Sequence, residues 1–381
     1  MNIRFSIKKL QRFLLGCIAV IFVMAITLEI LSAIAIESNL ISAETPNFQT
    51  PGISPFWVDE NPYFGMWHPV NEEYTHTKSC FSALYTSNSY GARDKERSKK
   101  SKERRVLIIG DSFVEGYGLN SSDRTSDLLE QKTGIEHLNF ATSGHFGPTQ
   151  YLLLYQHLAK QFRHDAVIIG LLPDNDFLDD DPEHGKINFT DQYRPYFQKR
   201  GKGYQLVYQN ADKQGATRKE FRREKRLFVR RALQNFTYSV NAINYFSALF
   251  RHQIISAAAV SDARKIYSGF TDYTPDQMKR MAYVVGQIIA VVGDRPLIWM
   301  VIPRTNDLAS LPKKTTPFVE KLKEMTKSFK NVSVLDLHQK FQRSGDWKKD
   351  YRACDNHWSA AGAAKAAGYI LNHPAYQKFI N

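Results

Sequence analysis

Short runs of consecutive aliphatic residues recur along the chain, separated by longer stretches whose apolar positions follow a helical period. The clearest run is Val106 to Ile109, which stops at once at Gly110-Asp111-Ser112. Four aliphatics cut off by a glycine read as a buried strand ending in a turn. Ile135–Phe140, Ala166–Leu172, Leu297–Ile302 and Val332–Leu335 read as further strands. Between them the pattern predicts helices near Arg124–Lys132, Thr149–Phe162, Pro275–Val292 and Pro317–Phe329, and an Ala-rich helix running to about Leu371. Strands alternating with helices imply a parallel sheet covered by helices on both faces, the α/β class. From about 183 to 272 the rhythm breaks into Tyr-rich and basic loops, with helices around Arg218–Gln234 and Tyr238–Ile255. That segment reads as an insertion, a lid or substrate platform. No internal repeat is visible.

The N-terminus follows a different pattern. Arg4, Lys8, Lys9 and Arg12 precede an apolar run from Phe13 to Ile36, broken by Glu29. At about 1.5 Å per residue this run crosses a hydrocarbon core of roughly 30 Å. The basic flank predicts a cytoplasmic N-terminus and an exported remainder, so residues 1–36 read as a cytoplasmic tail and signal anchor. A cleaved signal peptide stays open, because Ala33-Ile34-Ala35 resembles a small-residue cleavage site. The expected place is the inner (plasma) membrane, single-pass, with the main domain on the periplasmic or extracellular side. Residues 37–104 read as a proline-bearing linker and an aromatic-rich, irregular N-terminal extension. Residues 105–381 then form the main domain.

Charge adds little to this organisation. The net charge is +13, with the excess in Arg93–Arg105 and Arg218–Arg231. Such runs suit nucleic acid, anionic lipid or acidic polysaccharide, but neither interleaves aromatics in a nucleic-acid-binding fold, so no nucleic-acid partner is expected. The plain reading is a solvated linker and a solvated helix face. On that helix Lys219, Arg222, Arg223, Arg226 and Arg230 share one broad side, with Phe221, Phe228 and Ala232 on another. The acidic residues Asp174, Asp176, Asp179, Asp180 and Asp181 lack calcium-loop spacing and read as a solvated, lysine-neutralised loop, so no metal is expected. Cys17 falls in the apolar run. Cys80 and Cys354 are either a disulfide or two unpaired thiols.

The residues at predicted strand ends carry the chemistry: Ser112, Gly144, Asn175, and His357 with Asp355. Acyl transfer at an ester needs a serine deprotonated by an imidazole, a carboxylate orienting that imidazole, and donors for the tetrahedral oxyanion. Ser112 is the candidate nucleophile, His357 the general base and Asp355 its orienter. The backbone N–H groups of Ser112 and Gly144 with the Asn175 amide are the candidate oxyanion hole. His145 and His164 read as structural.

Taken in order, Gly110-Asp-Ser112, Asn139 with Gly144, Asn175-Asp176 and Asp355-Asn-His357 resemble the blocks of the SGNH/GDSL hydrolases, over about residues 105–181 and 295–371. The Asp here stands two residues before the His, with Cys354 in the more usual place, and Pro173 replaces a glycine of the third block. The Asp-x-His-Trp form and the early Asn88-Ser-Tyr-Gly-Ala-Arg93 element resemble the branch that includes bacterial polysaccharide O-acetylation proteins. No Gly-x-Ser-x-Gly elbow occurs. The resemblance implies a flavodoxin-like three-layer α/β/α fold. It also implies a serine esterase or O-acyltransferase, without cofactor, acting on acylated glycans or small esters, with polysaccharide-assembly machinery as a partner. A lipase or thioesterase at the membrane surface, and a non-catalytic glycan-binding protein, are the alternatives.

Overall fold

The structure, a computed structural model, describes residues 7–46, 48, 56–78, 80–214, 225–259 and 267–381. In chain order, helix α1 (Ile7–Glu37) is followed by strand β1 (Arg105–Gly110), the short helix α2 (Ser112–Glu115) and helix α3 (Thr125–Thr133). Then come β2 (Glu136–Ala141), α4 (Pro148–His157), β3 (Ala166–Leu171) and α5 (Pro173–Asp179). Helices α6 (Lys225–Phe236), α7 (Tyr238–Ala259) and α8 (Pro275–Val292) precede β4 (Leu297–Val301), α9 (Pro317–Thr326), β5 (Val332–Asp336) and α10 (Ala360–Leu371). The chain divides into two compact units: Met1–Pro51, Thr77–Phe81 and Arg226–Ala263 form one, and the remainder forms the other.

The larger unit is organised by a five-stranded sheet in the order β2-β1-β3-β4-β5. Every pairing is parallel, with Val106 opposite Ala166, Leu297 opposite Val167 and Leu297 opposite Val332. The alternating pattern predicts a parallel sheet, and this doubly wound order is the flavodoxin-like one that the resemblance implies. Side-chain alternation splits the strands between two cores. Leu107, Ile109, Phe140, Val167, Trp299 and Val301 face the core shared with α4, α8 and α9. Val106, Ile108, Ile168, Ile298 and Met300 face the core shared with α10. Because both faces are covered, the central strands read as unbroken aliphatic runs. Helix α8 starts where predicted because Thr274 and Gln277 cap each other, with Pro275 at the first helical position.

Three expectations change. The run Arg93–Arg105 is not simply solvated: Arg93, Arg97 and Arg105 are buried, and Arg97 lies 2.9 Å from Asp94 and 2.8 Å from Glu130. Nor is the acidic run a solvated, lysine-neutralised loop. Asp174, Asp176, Asp179 and Asp180 are buried on and after α5, where the carboxylates of Asp174, Asp176 and Asp180 accept hydrogen bonds. Asp176 takes the Tyr151 hydroxyl at 2.8 Å and the Leu172 N–H at 2.8 Å, and Asp180 takes the Thr149 N–H at 2.9 Å. Their cationic neighbours are arginines: Arg304 is 3.6 Å from Asp174, and Arg280 is 3.9 Å from Asp181. Sequence shows charge density but not which backbone donors lie within reach. Third, the stretch from Phe56 is less irregular than expected, since Val58–Asn61 pairs with Gly65–Trp67 as an antiparallel hairpin.

The segment from 183 to 272 includes a further hairpin, Arg194–Arg200 with Gly203–Gln209, besides α6 and α7. Lys219, Phe221, Arg222 and Arg223 of the expected basic helix lie outside the described residues. Cys80 and Cys354 are both disulfide-bonded, while Cys17 on α1 is a free thiol.

Candidate active site

Strand β1 ends at a glycine because nothing larger fits: a Cβ on Gly110 would lie 2.4 Å from the Val114 Cγ2. Asp111 is extended and accepts the Phe113 N–H at 3.0 Å, capping α2 and fixing Ser112 as its first residue. Ser112 therefore stands at the carboxyl edge of the sheet, beside the crevice where parallel α/β sheets bind ligands. Gly144, in the turn after β2, has φ of 98° and packs under Met66, whose Cγ would be 2.8 Å from a Cβ there. Asn175 lies in the first turn of α5, and His357 in the loop before α10.

These placements converge. The His357 Nε2 is 2.9 Å from the Ser112 Oγ. Asp355 accepts the His357 N–H with one oxygen at 3.1 Å and places the other 3.6 Å from Nδ1, an ion-pair separation rather than a hydrogen bond. The two-residue spacing is what permits this, since an aspartate side chain readily bonds the backbone two residues on. Asn356 between them takes the left-handed conformation, φ 61°, which Asn tolerates. The imidazole stacks on Tyr117, ring centroids 4.4 Å apart, and leans on Phe113 at 4.8 Å. Ser112, Gly144, Asn175, Asp355 and His357 all line one open cleft of about 430 Å³. Thus the five residues picked out from sequence come together.

His145, expected to be structural, lines the same cleft, 3.7 Å from Asp179. His164 is buried between the Tyr155 hydroxyl and the Phe162 carbonyl.

Several residues that shape the cleft were not singled out. The Arg304 guanidinium donates to the Asn175 Oδ1 and lies 3.6 Å from Asp174. With the amide oxygen occupied, the Asn175 NH₂ is the part left to donate into the cleft. Glu115 is buried and accepts the Ser143 N–H at 2.7 Å and the Ser143 hydroxyl. It also meets the His68 Nε2 at 3.1 Å and the Trp57 indole N–H at 3.2 Å. Burial alone would raise the Glu115 carboxyl, but His68, Arg93 and Ser143 more than offset this and hold it down to about 2. Arg93 lies over the Tyr85 ring and donates to the carbonyls of Glu115, Gly116 and Leu119. Arg352 ties the histidine loop to the nucleophile loop through the carbonyls of Tyr117 (2.8 Å) and Gly118 (2.7 Å). Two signals pointed this way: Glu115 is one helical turn after Ser112, and Arg93 closes the Asn88-Ser-Tyr-Gly-Ala-Arg element.

No family model matches the chain, and no curated protein does. Among solved structures, a lipase/acylhydrolase from Enterococcus faecalis aligns with 72% of this chain and 96% of its own, at 11% identity and a TM-score of 0.37. A Corynascus thermopiles (Myceliophthora fergusii) carbohydrate esterase family 2 enzyme with a carbohydrate binding domain aligns over 75% and 68%, at 14% identity and 0.32. A lipolytic protein of the G-D-S-L family from Desulfitobacterium hafniense gives 70% and 96%, 14% and 0.30. At these values the reading of function rests on the cleft's own geometry.

Proposed function

We propose that the chain is a serine esterase that works through an acyl-serine intermediate, anchored in the plasma membrane by α1 with its cleft on the exported side. The observation that carries this is the 2.9 Å contact between the Ser112 Oγ and the His357 Nε2, at a parallel-sheet edge that also presents Gly144 and Asn175. His357 takes the Ser112 proton as Oγ attacks the ester carbonyl, and Asp355 stabilises the imidazolium. The N–H groups of Ser112 and Gly144 and the Asn175 NH₂ receive the oxyanion. As the intermediate collapses, the C–O bond to the alcohol breaks and His357 returns the proton to the leaving oxygen. Water, or a sugar hydroxyl, then attacks the acyl-serine with His357 again as base.

The lining favours a short acyl group on a polar alcohol. Arg304, Thr305, Asn306 and Asn356 face the cleft, whereas Phe113, Leu172 and the Tyr117 ring are its main apolar contributions. That composition suits an acetylated glycan and offers little to a long acyl chain. For the anchor, α1 is long and apolar enough from Gln11 to Glu37 to cross a membrane. The basic residues before it support a cytoplasmic N-terminus.

The test uses the full chain in detergent with p-nitrophenyl acetate and a fluorophosphonate probe. The protein is expected to hydrolyse the ester and take the label. Ser112→Ala should lose the label and about 10⁴-fold or more in kcat while its circular dichroism stays unchanged. Labelling that persists in Ser112→Ala would place the nucleophile elsewhere. Adding an oligosaccharide acceptor and weighing the products then tells water from sugar as the acceptor.

A further inference from the structure

Glu29 is the one charged residue inside the apolar run from Phe13 to Ile36. An ionisable group at that depth is costly unless it has a partner. Here it has two: Glu29 accepts the Tyr238 N–H at 2.6 Å and the Ser239 N–H at 3.0 Å, the exposed donors of the first turn of α7. The Tyr238 hydroxyl donates to Glu37 at 2.8 Å. On α1, Glu29, Ser32, Ala33 and Ile36 follow the i, i+3, i+4, i+7 spacing of one helix face. Ser32 is 5% and Ile36 0% exposed, whereas Leu28, Leu31 and Ile34 around them are 47–58% exposed. Small side chains at that face let a second helix approach closely. Ala242 fills the space, with Tyr238 and Tyr245 packed beside it and Ile36.

We propose that the turn between α6 and α7 is docked on α1 through Glu29 and immersed in the outer leaflet, with Leu233, Phe236 and Ile243 facing acyl chains. The proposal rests on α1 spanning the membrane. Glu29 lies eight residues before Glu37, which places the turn about 12 Å below the polar end of the span. Backbone at that depth must be satisfied from within the protein, and around this turn it is. Glu29 takes two donors, the Thr237 N–H and hydroxyl both reach the Leu233 carbonyl, and the Asn241 amide reaches the Gln234 carbonyl. On one side of the turn the exposed side chains are apolar, with Leu233, Phe236 and Ile243 45–52% exposed, while Gln234, Asn241 and Asn244 on the other side line an open pocket with Glu44 and Lys78. The apolar side fits lipid and the pocket side fits water, as at the polar boundary of a leaflet.

The experiment places an environment-sensitive fluorophore at single cysteines in the full chain carrying Cys17→Ser. The sites are Phe236→Cys and Ile243→Cys, with Leu28→Cys on α1 as the lipid control and the exposed Val70→Cys of the larger unit as the aqueous control. The protein is reconstituted in phosphatidylethanolamine–phosphatidylglycerol vesicles with and without brominated phosphatidylcholine. Brominated lipid is expected to quench labels at 236 and 243 about as strongly as at 28, and to leave 70 bright. Glu29→Leu should lose the quenching at 236 and 243 and keep it at 28. Quenching at 28 with none at 236 or 243 overturns the proposal; access of aqueous iodide then says whether water or another protein covers the turn. Unchanged quenching in Glu29→Leu overturns the docking through Glu29. Absence of quenching at 28 itself sinks the anchored reading and the proposal with it.

Discussion

On one side of Ser112, the residues that would receive the oxyanion are held from behind by ions. Glu115, itself between His68 and Arg93, grips both polar groups of Ser143, next to Gly144, and Arg304 grips the Asn175 oxygen. On the other side, His357 is held by rings, with Tyr117 and Phe113 against its faces and Asp355 at 3.6 Å from Nδ1. Under the proposed mechanism, the difference follows from the task of each side. Oxyanion donors have to stay fixed through the reaction, and charge-assisted hydrogen bonds are the strong, directional way to fix them. In the proposed mechanism the histidine gains and loses a proton in each half-reaction. A tight ionic clamp would hold it in one protonation state, whereas aromatic faces orient the ring and tolerate both.

If the ionic side works by orientation, removing its centre should cost most. Glu115→Leu is expected to lower kcat by about 10²-fold, the scale of one misplaced oxyanion donor, with KM nearly unchanged. It also strands buried His68, so thermal unfolding should reveal a loss of about 3 kcal/mol or more. Glu115→Gln, which keeps one acceptor for Ser143, should recover part of kcat. A kcat in Glu115→Leu within a few-fold of the parent would mean that the Ser143–Gly144 turn holds itself.

Arg304→Met tests the same side more gently, because Asn175 stays but can rotate its amide. About a tenfold fall in kcat is expected, on the order of one neutral hydrogen bond. Tyr117→Leu probes the ring side, where the stacked phenol orients the imidazole, and losing that contact should cost about 0.5–1 kcal/mol, or two- to fivefold in rate. The signature there is a fall in kcat with KM intact. An Arg304→Met variant less affected than Tyr117→Leu would reverse the ranking of the two sides.

The sequence carried the ring side and the reacting groups better than it carried the ionic side. Strand β1, its abrupt glycine and Ser112 announce themselves locally, and so does the Asp355-Asn-His357 turn, because each depends on neighbours within a few residues. Buried charge does not. Arg93 reads as the start of a basic run until its guanidinium is found on the carbonyls of Glu115, Gly116 and Leu119. Asp174 reads as one of five solvated acids until it accepts the Gly269 N–H at 2.6 Å, from a residue 95 positions away. Such partners are set by the fold's crossings, which hydrophobic period does not encode. The sheet was legible for the opposite reason, since a strand covered on both faces must be aliphatic throughout.

Asp111 joins the two sides, capping α2 below Ser112, and its variant should affect turnover least and stability in a way that depends on pH. Burial raises its carboxyl from 3.8 to about 7, with Asp179 adding to the rise and the Phe113 N–H and Arg304 opposing it. A folded-state value above the unfolded one means that the fold binds this proton more tightly than the open chain does. The stability this contributes is complete below the unfolded value, near pH 4, and is lost as pH rises through about 7. Asn has no proton to lose, and its Oδ1 can still accept the Phe113 N–H. Asp111→Asn is therefore expected to match the parent near pH 4. At about pH 8 it should be the more stable by a few kcal/mol, since each tenfold difference in proton affinity between the folded and open chain is worth about 1.4 kcal/mol. Urea unfolding of both proteins in detergent across that range measures it. Two curves that run parallel from about pH 4 to 8 would show that Asp111 keeps its charge in the fold, shared with a neighbour such as Arg304.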